Sequence, residues 1–271
     1  MRIFAIKDDE LSCAKAVAYL LYYEQSKAFY IELPDDADQW ETPLLLSAFL
    51  KRGEHTINDY WSKIWVQQRI VPADRQNLGQ VLKENGLYEY DEFSLLMLAN
   101  GRCAQDSYYL EEIEPSDIPD EICKRWEKKV EDVVPLTAGH LLVFFRDGMI
   151  RKCDVREIVG ESNVFRPILN SDSVFNSVAL QTDGYGVRWS EQAVIDNATL
   201  YASGTAVPLS MDDFRSFIAN RVVNIAQAAD MLGCSRQNID DLIKRGKLHP
   251  IREDMRNKLL LKNEIEQRMR M

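Results

Sequence analysis

The chain has 271 residues, 46% of them hydrophobic and 28% charged, with a formal net charge of −10. That length suffices for two or three hydrophobic cores, and the balance of apolar to charged residues excludes a disordered or collagen-like polymer. Cys13, Cys103, Cys123, Cys153 and Cys234 are scattered and never form a C-x-x-C pair, which argues against a disulfide framework and a zinc site, while acidic residues follow at once on the amino terminus and no stretch reaches about 18 apolar residues. A cytoplasmic protein without a membrane span, metal or cofactor is therefore expected.

The front segment, 1–118, reads as a mainly helical acidic domain. "DELSCAKAVAYLLYYEQ" sets Leu11, Ala14, Ala18 and Leu21 at helical spacing, and "KAFYIEL" alternates as a strand does. "TPLLLSAFLKRG" reads as a helix closed by Lys51, Arg52 and the stop Gly53. Arg69, Asp74, Arg75, Arg102, Gln105 and Asp106 form a polar cluster, expected to be a surface ion-pair network. The aromatic residues between Tyr19 and Trp65 read as core or as a partner face. With its proline bend, arginine and "LL…GR" run, the stretch from Arg69 to Ile113 resembles the amino-terminal accessory region of HipA-like proteins. Neither a glycine-rich loop nor an H-R-D motif accompanies it, so phosphoryl transfer is not implied.

"EIEPSDIPDE", 112–121, marks a joint by its prolines and acids. Beyond it, 136–208 reads as a small α+β domain. Asp147-Gly148 separates two apolar runs, Leu141 to Phe145 and Met149 to Val155, which is a strong hairpin signal. A second strand pair is expected around "SVALQTDGYGVRWS", bent at Asp183-Gly184. The landmarks Phe145, Asp147, Gly148, Asp154, Val155, Leu169, Phe175, Trp189, Asp196, Leu200 and Tyr201 resemble the pattern of the bacterial domain-of-unknown-function family numbered twenty-four forty-two. That resemblance implies a regulator or an antitoxin and no known catalysis. Gly148 reads as a turn residue and Phe145, Phe175, Trp189 and Leu200 as core; a ligand role for Trp189 or Asp196 is the lesser alternative.

The last segment, 210–271, opens on a capping box, Ser210 with Asp213, ahead of a helix through Phe214, Phe217 and Ile218. From Phe214 onward 12 side chains are positive and 7 negative, a balance of +5 against −15 for the remainder. Acidity belongs to the body, and the tail can approach a polyanion, because local rather than net charge sets phosphate contact. Within it "NIAQAADMLGCSRQNIDDLIKRGKL" predicts two helices, Ile225 to Leu232 and Ser235 to Arg245, crossing at Gly233. Ser235 is the expected N-cap of the second helix. Helical geometry buries Ile239, Leu242 and Ile243 and turns Gln237, Asp241 and Lys244 outward, flanked by Arg236 and Asp240.

Arg236 and Gln237 have the chemistry to read guanine and adenine edges, while Lys244, Arg245 and Lys247 suit phosphates. His249 to Arg252 and Lys258 to Leu261 are expected to form a β-wing, with Asn263 and Glu266 capping a last helix. This run resembles the excisionase-like and MerR-like winged helix-turn-helix modules, which implies contact with double-stranded DNA through Ser235, Arg236, Gln237, Asp240, Lys244, Arg245, Lys247, Arg252 and Arg256. Asp240 and Asp241 depart from the ideal, since phosphates repel them; one could accept from a cytosine amino group and another could pair with Lys244.

The histidines His55, His140 and His249 stand beside no recognisable nucleophile motif, so no catalytic residue is assigned. The whole reads as a multidomain α+β transcriptional regulator, acting as a homodimer, whose acidic domains dimerise or receive a signal. The alternative is an antitoxin-like module that masks a basic, toxin-like protein partner.

Overall fold

Five antiparallel strands organise the front of the chain: β1 (Arg2–Asp8), β2 (Ala18–Tyr23), β3 (Ala28–Glu32), β4 (Thr56–Ile57) and β5 (Tyr108–Ile113), in the order β4-β3-β2-β1-β5. They belong to a computed structural model that describes residues 1–11, 15–251 and 258–269. Helices α1 (Leu44–Leu50), α2 (Asp59–Gln67), α3 (Leu78–Glu84) and α4 (Glu92–Leu98) are inserted around β4 and ahead of β5. Asn58 and Asp91 start α2 and α4 by accepting from the backbone N–H of Trp61 and Ser94. At its margins the sheet ends in β4, two residues long, and in β5, whose Glu111 and Glu112 pair with Lys7 and Arg2 of β1.

The front segment is thus not mainly helical, and "AYLLYY", expected to continue a helix, is strand β2. Ala14, which completed the helical spacing, lies outside the described residues. The physical reason is that both faces of the sheet are covered. Phe4, Leu20 and Ile31 on one face pack with Leu46, Phe49, Trp65 and Leu96, while Ile3, Leu21 and Tyr30 on the other pack with Ile118, Ile122 and Tyr185. A strand buried on both faces loses the period of two and reads as a continuous apolar run, which spacing alone cannot tell from a buried helix.

After a 3-10 turn at Pro115–Asp117, α5 (Asp120–Glu127) lies against the second face, followed by β6 (Val130–Pro135), β7 (His140–Phe145) and β8 (Ile150–Asp154). The hairpin β7–β8 turns at Asp147-Gly148, where Gly148 has φ +82° and its N–H donates to the Phe145 carbonyl over 2.9 Å. Short helices α6 (Val155–Val159), α7 (Arg166–Leu169) and α8 (Asp172–Phe175) lead to β9 (Ala179–Leu180), β10 (Gly186–Arg188) and β11 (Val194–Asp196), then α9 (Asn197–Ser203) and β12 (Thr205–Ala206). The strands make two sheets, β12-β8-β7-β6 and β11-β10-β9. Between β9 and β10 the chain turns through Asp183 and Gly184, both at positive φ; a Cβ on Gly184 would stand 2.1 Å from the Val130 carbonyl oxygen, so only glycine fits. Residues from Met1 to Ala206 make one compact unit, and Tyr185 stacks on Tyr30 of the front sheet with ring centroids 3.8 Å apart.

A second unit, Val207–Met271, has its own core. It contains α10 (Met211–Arg221), β13 (Val222–Asn224), α11 (Ile225–Leu232), α12 (Arg236–Lys244), β14 (Leu259–Leu261) and α13 (Lys262–Met269). Val223, Ala228, Ala229, Ile239, Leu248, Leu260 and Ile265 make that core. Among the described residues the two expected wing segments do meet, through an antiparallel bridge from Pro250 to Leu260 and the Ile251 N–H to Leu259 carbonyl bond, and β14 also pairs antiparallel with β13, ahead of the two helices. The rest of the expected wing, and the Asn263 and Glu266 side chains, lie outside the described residues.

Candidate nucleic-acid interface

The pair α11 and α12 is fixed at each end by local hydrogen bonds. Asn224 and Gln227 form a reciprocal capping box that starts α11. Gly233, at φ +63°, ends it in the left-handed conformation, and the Cys234 N–H returns to the Ala229 carbonyl at 3.0 Å. Ser235 Oγ accepts from the Asn238 N–H at 3.2 Å and starts α12. At the far end Gly246, also at φ +63°, lets the Lys247 N–H reach the Leu242 carbonyl at 2.9 Å, which closes the helix. Small Ala228 and Ala229 are buried where the helices meet, with Ile239 facing them in the same core.

Ser235, Arg236, Gln237, Lys244, Arg245 and Lys247 are all exposed. Among the described residues none of the four cations in that set makes an ion pair. Asp240 is half-buried and pairs with Lys258 Nζ at 3.4 Å. A lysine just before β14, not Lys244, thus offsets that carboxylate, and Asp241 is half-buried as well. Arg252 and Arg256 lie outside the described residues. Lys244, Arg245 and Lys247 gather at the carboxy-terminal end of α12, where the helix dipole favours positive charge.

Trp189 and Asp196 are engaged by the fold. The Trp189 indole donates to the Phe175 carbonyl over 2.8 Å, and Asp196 caps α9 by accepting from the Thr199 N–H and hydroxyl, each over 2.7 Å. Asp154 caps α6, and Asp147 accepts from the Tyr201 hydroxyl over 2.7 Å. The polar cluster of the front segment splits. Arg102 pairs with Asp9 and Arg75 bonds Asn77, whereas buried Arg69 pairs with Asp106 over 2.6 Å beside Gln105.

What the sequence concealed is a buried polar seam between α5, β3 and the β9–β10 turn. Glu32 is wholly buried and accepts from Trp126 Nε1, Thr56 Oγ1 and the Tyr185 hydroxyl at 2.9, 2.8 and 3.0 Å. Beside it Lys129 Nζ pairs with Asp183 over 2.7 Å. Burial depresses the Lys129 ammonium to about 8, against which Asp183 acts. Burial pushes the Asp183 carboxyl up, but Lys129, Arg146 and Tyr23 together outweigh it and leave it below the usual range. The partners lie 54 and 153 positions apart, so no local pattern announces them.

Burial also raises the Cys153 thiol to about 11, which leaves it a poor nucleophile at neutral pH. Among the described residues no group of three or more His, Cys, Asp or Glu side chains is placed to hold a metal ion, and no helix is long and apolar enough to cross a membrane. No protein-family model, curated protein or solved structure matches the chain.

Proposed function

We propose that the second unit is a winged helix-turn-helix of the excisionase-like or MerR-like kind and that the protein is a cytoplasmic, sequence-specific regulator of transcription. The observation that carries this reading is the exposed set Arg236, Lys244, Arg245 and Lys247, without ion pairs among the described residues, on and just after the second helix of a tightly turned pair. Arg236 and Gln237 stand at the amino end of α12, the part that enters a major groove in such modules, and read bases there. The three later cations hold phosphates, which supplies affinity without sequence choice. As a homodimer the protein would present two such helices about one DNA turn, ~34–36 Å, apart and prefer an inverted repeat.

Selection from random double-stranded oligonucleotides at stated salt, followed by retention assays on the recovered sequence, tests this. The expected result is a recurring half-site and affinity that falls steeply as salt rises. Recovery of no preferred sequence, together with salt-independent retention, overturns it.

The second reading is an antitoxin-like module that binds a basic protein, favoured by the −15 balance of the residues ahead of Phe214. Under it a partner encoded nearby co-purifies and stays bound when Arg236 and Gln237 are both changed to alanine.

A further inference from the structure

A cavity of about 970 Å³ opens on the front unit between α1, α2 and the start of β5. Its size is that of a small-molecule site, and both polar and apolar side chains line it. Trp65 and Arg69, 1% and 8% exposed, both line it. Among the described residues the Trp65 indole N–H and the Arg69 Nε–H have no hydrogen-bond partner. A buried donor left unmatched costs roughly 1–3 kcal/mol, and both donors belong to residues that line this one cavity, so an acceptor brought within reach of them would offset that cost.

The arrangement holds these donors in place. The Arg69 guanidinium lies 3.9 Å over the Trp65 ring and is tied to Asp106 Oδ2 by Nη2, which fixes its plane and leaves Nε unengaged. Lys51, exposed on the same wall and without an ion pair among the described residues, adds a second cation against the single carboxylate of Asp106. The rim is apolar: Trp40 and Leu44 are 84% and 88% exposed, an uncommon display for such large side chains, and Leu45 and Tyr108 continue it inward.

From this geometry we infer that the front unit binds a small organic carboxylate with an apolar or aromatic body: the anion meets Trp65, Arg69 and Lys51, and the body lies against Trp40 and Leu44. An amine would face two cations, and a purely apolar molecule would leave both buried donors unmatched. Arg69 and Asp106 form the ion pair that the sequence leads one to expect, but Arg69 is buried on Trp65, and with Gln105 the pair also lines a concave site. The inference does not rest on DNA binding, and its test contains no DNA.

Calorimetric titration of the full chain with 4-phenylbutyrate, with its neutral analogue 4-phenylbutanol and with inorganic phosphate tests it. Phenylbutyrate is expected to bind one per chain, about tenfold more tightly than the alcohol or phosphate, since one charge-assisted contact has that worth. Trp40→Ala and Lys51→Ala change exposed side chains and should each weaken binding about fivefold or more with the melting temperature unchanged. Trp65→Phe keeps a ring under Arg69, removes the indole N–H and should weaken binding too. No saturable heat by ~10 mM phenylbutyrate overturns the inference. So does equal binding of alcohol and carboxylate, equal binding of phosphate, or affinity unchanged in all three variants.

Discussion

Lys129 Nζ stands 2.7 Å from Asp183 Oδ2, with the lysine side chain 1% exposed and its ammonium 3.8 Å over the Tyr185 ring. The two partners are not equally supported. Without Lys129, Asp183 keeps Arg146 and the Tyr23 hydroxyl, each at 2.7 Å; without the carboxylate, Lys129 keeps one hydrogen bond among the described residues, to the Tyr23 hydroxyl at 3.2 Å, with aromatic faces and the weaker pull of the Glu32 charge. Removing one member of a buried pair is costly chiefly for the charge left behind. Asp183→Asn, which tolerates the left-handed backbone there, is therefore expected to lose ~3 kcal/mol or more, and Lys129→Met clearly less. Denaturant titration of the two variants checks the order.

The same lysine gives stability a rising alkaline limb. Folded Lys129 releases its proton near pH 8, and the unfolded chain holds it to the ordinary value of 10.5. Between those values the unfolded state binds more protons, so stability increases with pH, by at most about 3 kcal/mol. Tyr23, Tyr30 and Tyr185 act oppositely, because burial raises them above the ordinary 10.0 and only the unfolded chain ionises there. Each subtracts roughly 1.4 kcal/mol per pH unit above that point. Thermal melts are expected to climb from about pH 8 to about pH 9, to level off where Cys153, raised by burial from 9.0 to about 11, offsets the lysine, and to fall beyond pH 10, and Lys129→Met should remove the climb.

Two glycines at positive φ should respond differently to alanine. Nothing lies within 4 Å of a Cβ built on Gly233, so Gly233→Ala costs only the left-handed conformation, about 1 kcal/mol. At Gly184 the new carbon meets the backbone oxygen of Val130 at 2.1 Å and something must shift. Gly184→Ala is expected to unfold the first unit at a much lower temperature. Ser235→Ala, losing the cap of α12, belongs with the milder change at ~1 kcal/mol. Melting curves of the three variants rank them.

For the proposed DNA contact, Arg236→Ala and Gln237→Ala should each relax one position of the preferred sequence, by roughly 1–3 kcal/mol per good base contact. The triple change Lys244→Ala, Arg245→Ala and Lys247→Ala should weaken binding uniformly across sequences and flatten the salt dependence by about three phosphate contacts. Parallel titrations at several salt concentrations separate the two effects.

Local signals made much of this fold legible. The Asp147-Gly148 hairpin, the bend at Asp183-Gly184, the Ser210–Asp213 capping box and the boundaries of α11 and α12 each depend on a few neighbouring residues, and each could be read from them. Strand β2 could not, because burial on both faces erases its alternation. Nor could the pairing of β13 with β14, which joins segments flanking the two helices, or the seam at Glu32 and Lys129. For Arg236, Gln237 and Lys244 exposure followed from helical phase, while the partner of Asp240 depended on where Lys258 arrives in space.

The margins of the front sheet bear on how the protein behaves when crowded. An open strand of ordinary length invites another chain to continue the ladder, the first step toward fibrillar aggregates. Here one margin is a two-residue stub and the other carries the glutamates that Arg2 and Lys7 engage, so an incoming chain finds either too few amides or a hedge of carboxylates. Clumping of the folded protein through this sheet is thereby discouraged on both sides.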